Sequence, residues 1–143
     1  MRKVGMLKMV LAFSCCWVLL LSVGAAAESD APCPIELYPE YVQIVAAPNV
    51  LNLENEGQWV TIHTDIPYSQ VLGESVMLNS IPISWDKYDN RGYYVAKFAM
   101  SSVKDILYVG DYNTLTFTGM TIEAEAFCGF CEIFVKQVIP TGK

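Results

Sequence analysis

The chain has 143 residues, and fifteen Asp and Glu against nine Lys and Arg give it a formal net charge of −6 at pH 7. This length fits one domain with a full hydrophobic core. The acidic balance, with no basic cluster anywhere in the sequence, argues against binding to nucleic acid or to anionic membrane surfaces.

The first 27 residues have the pattern of an export signal. Arg2, Lys3 and Lys8 precede an apolar stretch at residues 9–23, and small residues follow up to Ala27. The stretch is short for a membrane span, which needs about 20 apolar residues. We predict cleavage after Ala27, with an uncleaved N-terminal anchor as the alternative. The mature chain then has 116 residues and a net charge of −9, from fifteen acidic and six basic side chains. It is expected in the periplasm or outside the cell, without inserting into a membrane.

A polar tether broken by prolines is predicted at residues 28–34, and one domain at residues 35–143. Short runs rich in Val, Ile, Thr, Tyr and Phe, separated by Gly, Asn, Asp and Pro, predict β-strands. In chain order the predicted strands cover residues 41–45, 51–53, 59–64, 76–78, 93–98, 114–118 and 127–138. Residues 121–125 are predicted as the hairpin partner of the last strand, and residues 101–107 as the one helical turn.

The period-2 alternation within these runs assigns side chains to faces. Val60 and Ile62 are predicted to point into a core, which places His63 on the outward face. Six to eight short strands with turns every ten or so residues predict an all-β, antiparallel sandwich, preceded by the cleavable signal helix. A parallel α/β fold is excluded because the sequence has no crossover helices.

The order of several short motifs resembles a known family. A Leu-Asn-Leu segment at residues 51–53 is followed by Gly-Gln-Trp-Val at 57–60, Thr-Gly at 118–119 and Phe-Cys-Gly at 127–129. The pattern is similar to an uncharacterised module of secreted bacterial and archaeal proteins, over roughly residues 41–139. The resemblance implies an immunoglobulin-like β-sandwich and supplies no catalytic residues. This chain departs from the family at the turn before the last strand and at Cys128 and Cys131.

The mature chain keeps three cysteines, Cys33, Cys128 and Cys131. Export favours oxidation, so a disulfide is the default prediction, and all three pairings are open. A bond from Cys33 to either of the others closes a loop of about 95 residues and stabilises the fold by about 4 kcal/mol. A bond between Cys128 and Cys131 forms a C-x-x-C motif, the pattern of redox proteins. It requires a bend at Gly129, because residues three apart on a strand point to opposite faces.

The sequence does not favour a metal site, a bound cofactor or a set of catalytic residues. The three cysteines and His63 are acceptable zinc ligands, but the chain has a single C-x-x-C half-site, so we predict no metal. His63 is the one histidine available to a Ser-His-Asp triad, and the G-x-S-x-G motif of many hydrolases is absent from the sequence. We therefore expect a protein that is not an enzyme.

Aromatic residues supply the other candidate site. Trp85, Tyr88 and Tyr93 flank one predicted turn, and exposed Trp and Tyr are common at carbohydrate and peptide recognition surfaces. The plain alternative is that Tyr is favoured in half-buried strands.

The leading hypothesis is an exported, non-enzymatic structural or protein-interaction module, with another exported or surface protein as its partner. A redox or metal protein acting through Cys128 and Cys131 is one alternative. A carbohydrate-binding module acting through exposed Trp and Tyr is the other.

Overall fold

The computed structural model of the chain describes residues 32–33, 37–38 and 40–139. The predicted signal, residues 1–27, lies outside the described residues, as does most of the predicted tether at 28–34. The described strands are β1 (Glu40–Tyr41), β2 (Ile44–Ala47), β3 (Val50–Asn52), β4 (Trp59–Pro67), β5 (Met77–Leu78), β6 (Ile81–Pro82), β7 (Trp85–Tyr88), β8 (Tyr93–Ala99), β9 (Tyr112–Met120) and β10 (Ala126–Lys136). One short helix, α1 (Met100–Lys104), and two 3₁₀ turns (Tyr68–Gln70 and Gly73–Ser75) connect them.

The strands form two sheets. The six-stranded sheet has the order β1-β10-β9-β5-β6, with β3 also paired to β10, and the four-stranded sheet has the order β2-β4-β8-β7. The all-β, sandwich-like prediction is therefore confirmed. Within the described residues no helix is long and apolar enough to cross a membrane.

The core lies between the inner faces of the two sheets, where alternate residues of the long strands meet. Val60 and Ile62 of β4 are fully buried. His63, the residue after Ile62, is exposed, as the alternation predicts. Phe98 from β8 packs edge-to-face on Phe117 from β9, with ring centroids 6.4 Å apart. This contact joins the two sheets through large apolar rings, whose burial drives folding.

The N-terminal part of the domain alternates between the sheets. β1 runs parallel to β10, β2 pairs antiparallel with β4, and β3 returns to run parallel to β10. Gly129 makes the crossing possible, because a Cβ there would lie 2.2 Å from the carbonyl oxygen of Val42. The sheets are thus antiparallel apart from the pairings of β1 and β3 with β10.

The structure corrects three local predictions. Residues 121–125 form the turn between β9 and β10 rather than a strand, and the antiparallel partner of β10 is β9. This turn is closed by the backbone bond from Thr121 to Glu125 and contains Ala124 at φ 64°. The helix is shorter than the predicted 101–107, and β7 is a strand that the sequence patterns did not predict.

Candidate functional site

The structure selects one of the three cysteine pairings. Cys33 and Cys128 form a disulfide with their Cα atoms 5.6 Å apart and a sequence separation of 95 residues. Cys128 faces the outside of the six-stranded sheet, in register with Tyr41 on β1 and Thr118 on β9. The bond therefore attaches the N-terminal tether to the outer side of β10.

Cys131 is a free thiol on the opposite side of the same strand. It is half-buried against the core, and burial raises the pKa of its thiol. Reactive cysteines instead have a lowered pKa and an electropositive, accessible environment. Because Cys128 is bonded to Cys33 and faces away from Cys131, the arrangement gives no support to a dithiol site at these two residues.

The three predicted surface aromatics do not converge. Trp85 is in register with Lys97 and belongs to the outer face of the four-stranded sheet, whereas Tyr88 is in register with the buried Tyr94 and belongs to the opposite face. Tyr93 lies on the same outer face as Trp85. However, it precedes Lys97 by four residues on β8 and lies next to the turn between β7 and β8. They therefore do not form one platform.

Trp85 has two neighbours that the sequence patterns did not predict. Its ring lies edge-to-face with Trp59, at a centroid distance of 6.4 Å, and the Lys97 amine lies 4.5 Å from its centroid. Cation–π contacts of this kind contribute about 0.5–1 kcal/mol at exposed sites. The period-2 pattern of β4 and β8, which places Trp59 and Lys97 outward, was the signal that could have found them.

Asp86 stands at the centre of a tyrosine cluster on the inner side of the β7 edge. Its Oδ2 accepts a 2.7 Å hydrogen bond from the hydroxyl of Tyr94, and its Oδ1 accepts a 3.2 Å bond from that of Tyr68. The Tyr68 ring stacks on Tyr94 and meets Tyr88 edge-on. Burial, together with the Asp86 carboxylate, raises the pKa of Tyr94 far above its ordinary value, and the hydrogen bond to Asp86 raises that of Tyr68. Both phenols therefore stay protonated donors that hold the carboxylate in one position.

An open groove of about 470 Å³ lies beside this carboxylate. Its lining residues come from the second 3₁₀ turn and from the β6–β7 region: Leu72, Gly73, Glu74, Ile83, Trp85 and Asp86. Gly73 leaves room for this carboxylate in its observed position, because a Cβ there would lie 2.5 Å from Oδ2 of Asp86. The lining thus combines Trp85, the aliphatic Leu72 and Ile83, and the acidic Glu74 and Asp86, which gives the groove a mixed polar and apolar character.

Among the described residues, no group of three or more His, Cys, Asp and Glu side chains is placed to hold a metal ion. His63 lies on the outer face of the four-stranded sheet, in register with Val45 and Val95. It is therefore not brought together with the cysteines.

The outer face of the six-stranded sheet is a second surface feature. It carries exposed apolar side chains from five strands: Tyr41, Val50, Met77, Tyr112, Met120 and Phe130. Two edge-to-face aromatic pairs, Tyr41 with Phe130 and Tyr112 with Phe134, pack across neighbouring strands.

The centre of this face is uncharged on β9, where Thr114, Thr116 and Thr118 alternate with core residues. On β10 the outward positions after Cys128 are Phe130, Glu132, Phe134 and Lys136. The face thus presents exposed aromatic, Met and Val side chains around a threonine row, with Glu132 and Lys136 as the charged residues of β10.

The sequence matches no protein-family model, no curated protein and no solved structure. The similarity to secreted immunoglobulin-like modules therefore stays a prediction from the motifs.

Proposed function

We propose that the protein is an exported, non-enzymatic protein-interaction module with an immunoglobulin-like fold, and that its partner is another exported or surface protein. Two features support export: the signal pattern at residues 1–27 and the Cys33–Cys128 disulfide, a bond that persists in oxidising compartments. Nucleic acid is not a proposed partner, since the mature chain has a net charge of −9.

The strand orders support the immunoglobulin-like assignment. In immunoglobulin domains the first, second, fifth and fourth main strands form one sheet, and the third, sixth and seventh form the other. Here β2, β4, β8 and β7 take the places of the first group. The second group is represented by β5, β9 and β10.

The main support for this proposal is the outer face of the six-stranded sheet. Contiguous exposed apolar surface on a soluble domain marks interaction sites, because leaving such surface in water is unfavourable. On this face Tyr41, Tyr112 and Phe130 are all exposed, and aromatic residues are enriched in protein interfaces. We infer that this face docks on a partner while the acidic remainder stays in water.

A site-specific photo-crosslinking experiment tests the proposal in cells that export the protein. A photoreactive amino acid replaces Thr116, at the centre of the outer face of the six-stranded sheet. The matched control replaces Thr61, a half-buried threonine on the outer face of the other sheet. We expect a discrete crosslinked product from position 116 and none from 61, with mass spectrometry identifying the attached protein. Equal labelling from both positions, or none from 116, would contradict the proposal.

One observation favours carbohydrate binding as a second candidate function. The groove beside Trp85 combines an exposed indole with Asp86, a carboxylate already held in place by two tyrosine hydroxyls. An aromatic ring packs on the apolar face of a sugar, and a fixed carboxylate accepts hydrogen bonds from its hydroxyls.

The test is retention on immobilised neutral polysaccharides in affinity electrophoresis. Trp85→Ala should abolish retention with little change in melting temperature, whereas Tyr108→Ala, which removes another exposed ring, should keep it. If the wild-type protein migrates freely through every polysaccharide tested, the carbohydrate candidate is wrong.

A further inference from the structure

The outward residues of β10 form a pattern that is complementary to itself when the strand direction is reversed. Phe130, Glu132, Phe134 and Lys136 occupy successive outward positions, and Val138, two residues past the strand, is also exposed. The order is apolar, acidic, apolar, basic, apolar. Phe134 lies at the centre, and the two charges at equal distances from it are opposite.

Such a pattern is self-complementary under a two-fold rotation. Closed dimers use the same patch on both copies, so that residue i of one copy contacts residue j of the other and j contacts i. If two β10 strands lie face to face and antiparallel with Phe134 on the axis, Glu132 of each copy meets Lys136 of the other. In the same arrangement Phe130 lies opposite Val138.

We propose that the partner on the outer face of the six-stranded sheet is a second copy of this chain, packed around Phe134 in this antiparallel register. This inference rests on the proposed function, since it names the occupant of the same face. The second copy would cover the apolar residues around the threonine row as two sheets pack face to face, about 10 Å apart.

The size of the face suits a dimer. The tether covers the outer side of β10 at Cys128, so the open part of this strand is the seven residues from Phe130 to Lys136, and β9 has 9 residues. At about 3.4 Å per residue the open face extends for roughly 24–31 Å. Neighbouring strands, about 4.8 Å apart, widen the patch to between about 10 and 20 Å. The projected area of the patch is therefore a few hundred Å². Because protruding side chains make the surface uneven, the area that a partner buries is larger and approaches the roughly 800 Å² that each partner contributes to an ordinary interface.

Charge also favours this face over the rest of the domain. Two mature chains at −9 each repel one another, so a stable contact must avoid bringing acidic surface together. Glu132 and Lys136 cancel on this face, and four residues of extended strand keep them about 13 Å apart, beyond ion-pair distance within one copy. A second copy supplies each with an opposite charge. Such pairs mainly set the register, and burial of the apolar residues supplies most of the affinity.

The outer face of the four-stranded sheet lacks this symmetry. On β8 its outward positions include Val95 and Lys97, and their neighbours Lys87 and His63 are not acidic. Asp65, the exposed acidic residue of β4, lies outside this register and accepts a hydrogen bond from the Gln43 backbone N–H. We therefore assign the dimer contact to the six-stranded sheet.

Charge reversal gives a decisive test. The protein is purified from the exported fraction, and its mass is followed by sedimentation equilibrium from micromolar to millimolar concentration. Glu132→Lys and Lys136→Glu each place like charges in both pairs, and we expect each variant to dimerise at least about tenfold more weakly than the wild type. Mixed in equal amounts, the two variants should form a heterodimer with affinity near the wild-type value, because every lysine then meets a carboxylate.

The recovery on mixing also shows that both variants are folded, and Thr61→Lys on the other sheet serves as the control that leaves dimerisation unchanged. A wild-type protein that is monomeric throughout the range, or a mixture no tighter than either variant alone, overturns the second-copy proposal. Crosslinks from position 116 to a different protein, together with a monomeric mass, would overturn the dimer while supporting the interaction module. Absence of any crosslink specific to position 116 would count against both.

Discussion

The hydroxyl of Tyr94 donates a 2.7 Å hydrogen bond to Oδ2 of Asp86, joining a buried ring on β8 to a carboxylate on the edge strand β7. β7 is short, and its other three residues are exposed. The bond therefore attaches an edge strand to the core through side chains, in addition to its pairing with β8.

Removing this hydroxyl should destabilise the domain. Tyr94→Phe keeps the ring but leaves Asp86 with one tyrosine donor fewer, and a hydrogen bond to a charged group contributes about 1.5–3 kcal/mol. We expect the free energy of unfolding to fall by about 2 kcal/mol in urea titrations. Tyr108→Phe, which removes an exposed hydroxyl, is the control and should change it by less than about 0.5 kcal/mol. Equal effects of the two substitutions would show that the Asp86 bond contributes little.

Alkaline pH should unfold the protein through the same residue. Because the pKa of Tyr94 is raised in the folded state, its neutral form contributes stability below the ordinary tyrosine pKa of about 10, and this contribution is lost as the pH rises above it. Phenolate absorbance should show a late step that coincides with the loss of circular dichroism. In Tyr94→Phe the late step should be smaller by one tyrosine. A late step of unchanged size would assign it to another residue.

The Cys33–Cys128 bond should be the largest single local contribution to stability. Cys33→Ser opens a loop of 95 residues, and the chain-entropy relation predicts a loss of about 4–5 kcal/mol. Unfolding in guanidinium chloride with and without reductant measures this loss. Reductant should lower the midpoint of the wild type to that of Cys33→Ser and leave the variant unchanged. A further decrease in the variant would point to a second disulfide.

Gly129→Ala should disturb the crossing of the N-terminal strands. A methyl group there would meet the Val42 carbonyl oxygen at 2.2 Å and Cγ2 of Ile44 at 2.9 Å, so the backbone between β1 and β2 must shift. We expect a loss of about 3 kcal/mol in the free energy of unfolding, at the upper end of overpacking effects. Gly57→Ala, where the new methyl would have contacts of 3.4 Å or more, is the matched control. Similar melting temperatures for both variants would contradict this role of Gly129.

Local alternation predicted the long strands well because each has one face in the core. Val60 and Ile62 inward with His63 outward follows directly from the period of an extended chain. The parallel pairing of β1 and β3 with β10 is a long-range relation that no local pattern contains. β7 was missed because its residues Asp86 and Lys87 are polar and lie beside a turn, which favours a loop assignment.

For the candidate sites too, local patterns predicted some features, and tertiary structure was needed for the others. Sequence separation could not distinguish Cys128 from Cys131 as the partner of Cys33, since the two loops have nearly the same length. The face of β10 on which each cysteine lies determines the pairing, because Cys128 is on the outer face, in register with β1. Likewise, the separation of Trp85 from Tyr88 follows from alternation once β7 is known to be a strand. The link from Asp86 to Tyr94 depends on tertiary packing.

The position of the disulfide has a mechanical consequence. A force that pulls the two ends of the chain apart passes from residue 33 through the bond to residue 128, and does not load the peptide backbone between them. The strands β1–β9 all lie within that closed loop. Under tension, the part of β10 after Cys128 and the chain that follows it lie outside the loop and can lengthen while the bond is intact. A domain tethered at its N-terminus and held by a partner on β10 would therefore transmit load across a single covalent link.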